Sequence, residues 1–209
     1  MSGGCGSGVG TMPKIRMVYA MRHGQKGFES DDPSLDPRGR EQVAEAVKKY
    51  LTGVNFKIIY HGTHFRHQES TEIAKEALEI ASDTFQTPLL SLTSEMNDAA
   101  NQCAMAGLKH PDGLDVGFCV DTWITMNEVL MNDCFEQFYD FLQQIPKKMK
   151  NVLAISSSPI IESVTFNPEK TWLLGDCGII KYIIDDEGTI ISSETIFEGF
   201  FEKPSQKKS

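Results

Sequence analysis

The chain has 209 residues, 40% of them hydrophobic and 23% charged, and a net charge of −9. The length suits one domain with a full hydrophobic core. The acidic balance argues against a nucleic-acid or membrane-surface role, which would need a basic face, but not against a phosphorylated ligand held by a few clustered arginines.

Met1 to Met12 is rich in Gly and Ser and lacks the apolar stretch of a signal peptide, so residues 1–12 are expected to form a flexible tail. Ile15 to Met21 (IRMVYAM) has the composition of a buried strand and runs into Arg22-His23-Gly24-Gln25. Asp36-Pro37 opens a helix, with an N-cap carboxylate and proline at the first helical position. Val43, Ala46, Val47, Tyr50 and Leu51 form its apolar stripe and Gly53 ends it. Phe56 to Tyr60 is a second strand, emptying into His61-Gly62-Thr63-His64-Phe65-Arg66. A helix is predicted over 66–82, with Ile73, Ala74, Ala77, Leu78 and Ala81 inward, then a short strand or an extended connection over Pro88 to Leu92.

Glu95 to Thr122 has no clear period and is expected to be a loop-rich insertion with room for one short helix. Trp123 to Ile145 places Phe135, Phe138, Phe141, Leu142 and Ile145 at helical spacing before Pro146. Asn151 to Ile155 is a buried strand, followed by Ser156-Ser157-Ser158-Pro159 and a helix starting near Ile160. Cys177 to Asp185 and Thr189 to Ser193 flank Asp186-Glu187-Gly188 as a hairpin. The order implies one three-layer α/β/α domain over 13–198, a mainly parallel sheet with helices on both faces and a C-terminal β-hairpin, then a polar tail over 199–209. Ligands in such folds collect at the carboxyl ends of the strands, where the loops at His23, Arg66 and Ser157 would converge.

Five cysteines at wide spacing suggest neither zinc nor a disulfide framework, so reduced thiols and a cytoplasmic location are expected. No apolar run is long enough to span a membrane. His61-x-x-His64-x-x-His67 invites a metal reading, but Gly62-Thr63 opposes a helix there and no carboxylate or cysteine completes a ligand set, so no metal is expected.

Taken in order, MRHGQ, SLDPRGREQV, HFRHQESTEIA and NVLAISSSPIIESV with its terminal hairpin resemble the histidine phosphatase (phosphoglycerate mutase-like) superfamily, above all its small SixA-like phosphohistidine phosphatase branch. The resemblance implies a phosphoglycerate mutase-like fold and no cofactor. It makes His23 a nucleophile that takes a phosphoryl group, Arg22 and Arg66 the clamps on its oxygens, and Glu95 the candidate acid for the leaving group. The substrate would be a phosphorylated small molecule or a phosphoprotein. One departure stands out: after NVLAI the family pattern places a small residue, then a second histidine, and here Ser157 stands at that position. A neutral hydroxyl replaces a charged donor, which implies weakened turnover or, as the alternative, a pseudophosphatase that binds phosphate without turning it over. His61 or His64, where the family has Ser and Pro, are the histidines considered as substitutes.

Overall fold

The computed structural model describes residues 14–27, 30, 32–105, 120–164 and 174–201. The N-terminal tail, His110, half of the predicted insertion (106–119) and Lys203 to Ser209 lie outside these residues. Six strands, β1 (Arg16–Arg22), β2 (Ile58–His61), β3 (Asp83–Gln86), β4 (Asn151–Ser156), β5 (Ile179–Ile184) and β6 (Ile190–Phe197), form one sheet in the order β3-β2-β4-β1-β5-β6. The pairs β3–β2, β2–β4 and β4–β1 are parallel, while β5 and β6 add the antiparallel hairpin expected from Asp186-Glu187-Gly188.

Because side chains alternate along a strand, each face of the sheet has its own core. Tyr19, Met21, Ile59, Leu153, Ile155 and Ile179 meet helices α1 (Pro37–Tyr50) and α2 (Phe65–Leu78). Val18, Ala20, Val152, Ala154, Ile180 and Tyr182 face α3 (Ser94–Met105) and α4 (Val120–Gln144). The three-layer arrangement is as expected, although several local assignments change. The α2 helix stops at Leu78 because Glu79 takes a left-handed conformation, its φ being 54°, and Ala81 is exposed. The inward face of α2 is instead largely polar, with Arg66, His67, Glu69, Ser70 and Thr71 buried. Asp83–Gln86 is an edge strand that the sequence reading missed, since all four residues are exposed and carry no apolar alternation. Pro88–Leu90 is a single 3-10 turn, as is Ile160–Glu162, where a helix had been expected. The insertion begins with a regular 12-residue helix, α3. Phe135 is 45% exposed and leaves the core stripe to Phe138, Phe141, Leu142 and Ile145. At the far end, Phe200 pairs with Asp176, so the chain stays packed two residues into the segment expected to be tail.

The start of α1 braces the turn after β1. Asp36 caps the helix by accepting from the Gly39 amide, and Pro37 occupies its first position. Gly39 lies so close to that turn that a Cβ would stand 2.0 Å from the Gln25 carbonyl oxygen, and one on Gly24 would stand 2.4 Å from the Gly39 oxygen. Alanine is ordinarily the better helix former by about 1 kcal/mol. Here the backbone clash outweighs propensity, so Gly39→Ala is expected to lower stability by about 1–3 kcal/mol, visible as a Tm drop of roughly 2–10 °C in a thermal melt.

Candidate active site

The carboxyl ends of the three adjacent parallel strands β2, β4 and β1 carry the residues of interest. Arg22 is level with Ser156, the His23 amide donates to the Ser156 carbonyl at 3.0 Å, and the Gly62 amide donates to the Ile155 carbonyl at 3.1 Å. These backbone bonds set the starts of the His23, Ser157 and Gly62 loops side by side. The Gln25 amide donates to the Gln42 side chain at 2.9 Å, which anchors the first loop to α1. Glu69 ties α2 to the same region by accepting from the Leu35 amide and pairing with Arg40.

His23 is buried, and both its ring nitrogens are engaged. Nδ1 lies 2.7 Å from the Gly24 carbonyl oxygen, and Nε2 receives the Nε–H of Arg66 at 3.1 Å. A carbonyl only accepts, so the proton sits on Nδ1 and the lone pair on Nε2. Burial, then the charge of Arg66, the neighbouring His67 and the charge of Arg22 hold the His23 pKa well below its ordinary value, so the ring is neutral. Arg66 comes from the first turn of α2 and is itself buried; it forms an ion pair with Asp32 at 3.3 Å. Arg22 pairs with Asp176 at 3.2 Å and donates to the Leu174 carbonyl. Lys26, which sequence reasoning overlooked, lies within electrostatic reach of Arg22 and Arg66 and of both carboxylates; burial lowers its pKa, with the two arginines adding to the effect. Its only sequence signal was its position three residues beyond His23.

Ser157 is buried, and its Oγ lies 2.8 Å from Nε2 of His67, whose ring centroid is 5.4 Å from that of His23. His67 is the other residue that sequence reasoning misses, because in the sequence it stands out only as the third histidine of a metal-like spacing. His61 turns its Nδ1 to the Gly62 carbonyl, and His64 contacts Asp32 at 3.4 Å. Among the described residues no group of three or more His, Cys, Asp or Glu side chains is placed to hold a metal. Glu95 is exposed at the first turn of α3 and is not among the hydrogen-bond or ion-pair partners of His23, Arg22, Arg66 or Ser157. The structure thus gathers Arg22, His23, Arg66 and Ser157 and leaves Glu95 outside.

The domain thus places a neutral imidazole beside a buried guanidinium at the carboxyl ends of its parallel strands. The family model of the histidine phosphatase superfamily (branch 1) matches residues 18–87, the stretch from β1 through β3 that holds Arg22, His23 and Arg66, so the sequence resemblance stands. No curated protein matches the sequence. Among solved structures, a phosphoglycerate mutase from Bacillus anthracis matches with a TM-score of 0.61 at 16% identity, covering 88% of this chain and 93% of its own. A phosphoserine phosphatase from Entamoeba histolytica in complex with 3-phosphoglyceric acid gives 0.52 at 16% identity, covering 86% and 97%. The protein histidine phosphatase SixA complexed with tungstate gives 0.50 at 17% identity, covering 87% and 97%. At such identities the likeness is one of fold. No helix among the described residues is long and apolar enough to cross a membrane.

Burial also lowers the His67 pKa well below the ordinary value, so two histidines are neutral in the folded state. In the unfolded chain they protonate near pH 6.5. Below that pH the unfolded state binds more protons, and stability falls as pH falls. The buried carboxyls of Glu162 and Asp176, raised by desolvation, act in the opposite sense, so the histidine contribution is isolated by difference. His23→Asn is expected to reduce the pH slope of the unfolding free energy between pH 6 and 5 by up to about 1.4 kcal/mol per pH unit, measured by urea unfolding.

Proposed function

We propose that the protein is a metal-independent phosphohydrolase that works through a phosphohistidine on His23. The observation that carries this reading is the Arg66 Nε–H bond to His23 Nε2, with Arg22 and Lys26 close by. The pair holds an unprotonated nitrogen next to a guanidinium, the combination that phosphoryl transfer requires. When a phosphoryl group enters, Arg66 turns its N–H groups to the phosphoryl oxygens and frees the Nε2 lone pair. Nε2 then bonds to phosphorus while the bond from phosphorus to the leaving group breaks, its electron pair departing with that group, which takes up a proton. Water attacks the phosphohistidine, the N–P bond breaks back to Nε2, and inorganic phosphate leaves.

Asp32 and Asp176, the carboxylates paired with the two arginines, are thereby engaged in neutralising cations, and Glu95 stands outside the cluster. This arrangement favours leaving groups that need little protonation, such as a phosphoramidate nitrogen on a phosphohistidine protein or a phenolate. A cytoplasmic location is part of the proposal and rests on the wide cysteine spacing of the sequence, which suggests no disulfide framework. The second reading, a pseudophosphatase that captures a phosphorylated partner, draws on Ser157 alone.

Hydrolysis of p-nitrophenyl phosphate tests the choice. His23→Ala is expected to lower kcat/KM by at least roughly a thousandfold. Rates should rise steeply as the leaving-group pKa falls across a series of aryl phosphates, and a chelator should leave them unchanged. Equal turnover by wild type and His23→Ala excludes the mechanism, whereas phosphate binding with no turnover by the wild type selects the second reading.

A further inference from the structure

We propose that His67 is a positioning residue for this site: through Ser157 it provides a hydrogen-bond donor to the phosphoryl group beyond those of the arginines. The inference rests on the phosphohydrolase reading and specifies how the serine at the divergent position works.

Of the histidines that crowd this end of the sheet, His67 is the one bonded to Ser157, Nε2 to Oγ at 2.8 Å. Its ring is fully buried, and its Nδ1 has no hydrogen-bond partner among the described residues. A buried orphan nitrogen is costly, and an apolar side chain there would avoid it. Gly62 makes room for the ring: a Cβ at that position would stand 2.2 Å from His67 Nδ1. An unpaired buried nitrogen and an obligatory glycine thus both keep an imidazole behind Ser157.

The neutral ring has one N–H, and its place decides what the serine can do. A proton on Nδ1 would be an unpaired buried donor, the rarer and costlier kind of orphan. The proton therefore sits on Nε2 and is donated to Ser157 Oγ. That uses one lone pair of the serine and leaves its own O–H free to donate elsewhere. The His23 amide is bonded to the residue preceding Ser157, and the His67 ring lies next to the His23 ring, so the serine starts from the same rim as His23 and its hydroxyl would reach a phosphoryl group bound there. Accepting a hydrogen bond also polarises a hydroxyl and strengthens it as a donor. The chain His67 N–H to Ser157 O–H to phosphoryl oxygen puts an imidazole behind the serine, one bond further from the phosphoryl group than a direct donor would stand. Ser157 touches the substrate and His67 acts through it.

The test is a double-mutant cycle on p-nitrophenyl phosphate turnover, with folding checked by near-UV circular dichroism and His23→Ala in the same assay. Ser157→Ala is expected to lower kcat on the order of a hundredfold and His67→Ala at least tenfold, each with KM changed by less than about threefold. His67→Gln, which keeps an N–H, should recover most of the loss. The double variant should be no slower than Ser157→Ala, because the two residues act as one donor. A filler role for His67 would instead leave kcat of the folded protein unchanged or give losses that multiply; either result overturns the proposal. If His67→Ala does not fold, His67→Gln and Gly62→Ala, which displaces the ring, replace it in the cycle. If wild type shows no turnover, vanadate affinity by calorimetry carries the same cycle, and additive or absent losses there overturn it equally. Turnover that survives His23→Ala defeats the phosphohydrolase reading, whereas loss with His23→Ala and full activity in His67→Ala defeats this inference alone.

Discussion

The site depends on a single buried contact, the hydrogen bond from Arg66 Nε to His23 Nε2 between residues 43 apart in the chain. A guanidinium beside an imidazole is favourable only while the imidazole is uncharged. Burial and the neighbouring cation therefore act together: each disfavours a proton on Nε2, and the Gly24 carbonyl gives the remaining proton a place on Nδ1. The lone pair on Nε2 is thus a consequence of where the two side chains are held.

Holding them there is the work of the sheet and of the close backbone approaches at its edge. Parallel pairing of β1 with β4 and of β4 with β2 sets three loop starts in one row, and α1 is pressed onto the first loop so closely that Gly24 and Gly39 leave no space for a side chain. The polar inward face of α2 follows from the same geometry. The first turns of this helix lie over the site, so Arg66, His67, Glu69, Ser70 and Thr71 fill positions that an ordinary amphipathic helix would give to apolar residues.

That substitution explains what the sequence made legible and what it hid. The strands β1 and β4, the capped start of α1 and the terminal hairpin carry strong local signals: buried apolar runs, Asp36-Pro37 and Asp186-Glu187-Gly188. Arg22, His23 and Arg66 were recognisable because each follows a strand in a known order. The edge strand β3 gives no sequence signal because its exposed residues DTFQ have no apolar alternation, and α2 is shorter than its periodicity predicts because its left-handed stop is a glutamate and not the glycine usually found there. His67 was hidden for a different reason. Its partner, Ser157, is 90 residues away, and the contact arises only when β2 and β4 are neighbours. Spacing along the chain pointed to a metal set, while the fold pairs this histidine with a hydroxyl.

The charges around His23 are arranged with similar economy. Arg22 and Arg66 are paired with Asp176 and Asp32, which offsets the cost of burying these two cations, while Lys26 leaves the cluster one positive charge in excess. The two ion pairs are not equivalent. Asp176 is largely buried, its Arg22 partner also donates to the Leu174 carbonyl, and the Asp176 backbone pairs with Phe200, so Arg22 is fixed in place. Asp32 is about half exposed, at 47%, and an ion pair with so much access to water contributes little, about 0–1 kcal/mol. In the proposed mechanism, releasing Arg66 from Asp32 to an incoming phosphoryl group would therefore cost little, and the same movement would uncover the Nε2 lone pair. In that reading, the more exposed pair sits on the arginine that would turn and the more buried one on the arginine that would stay.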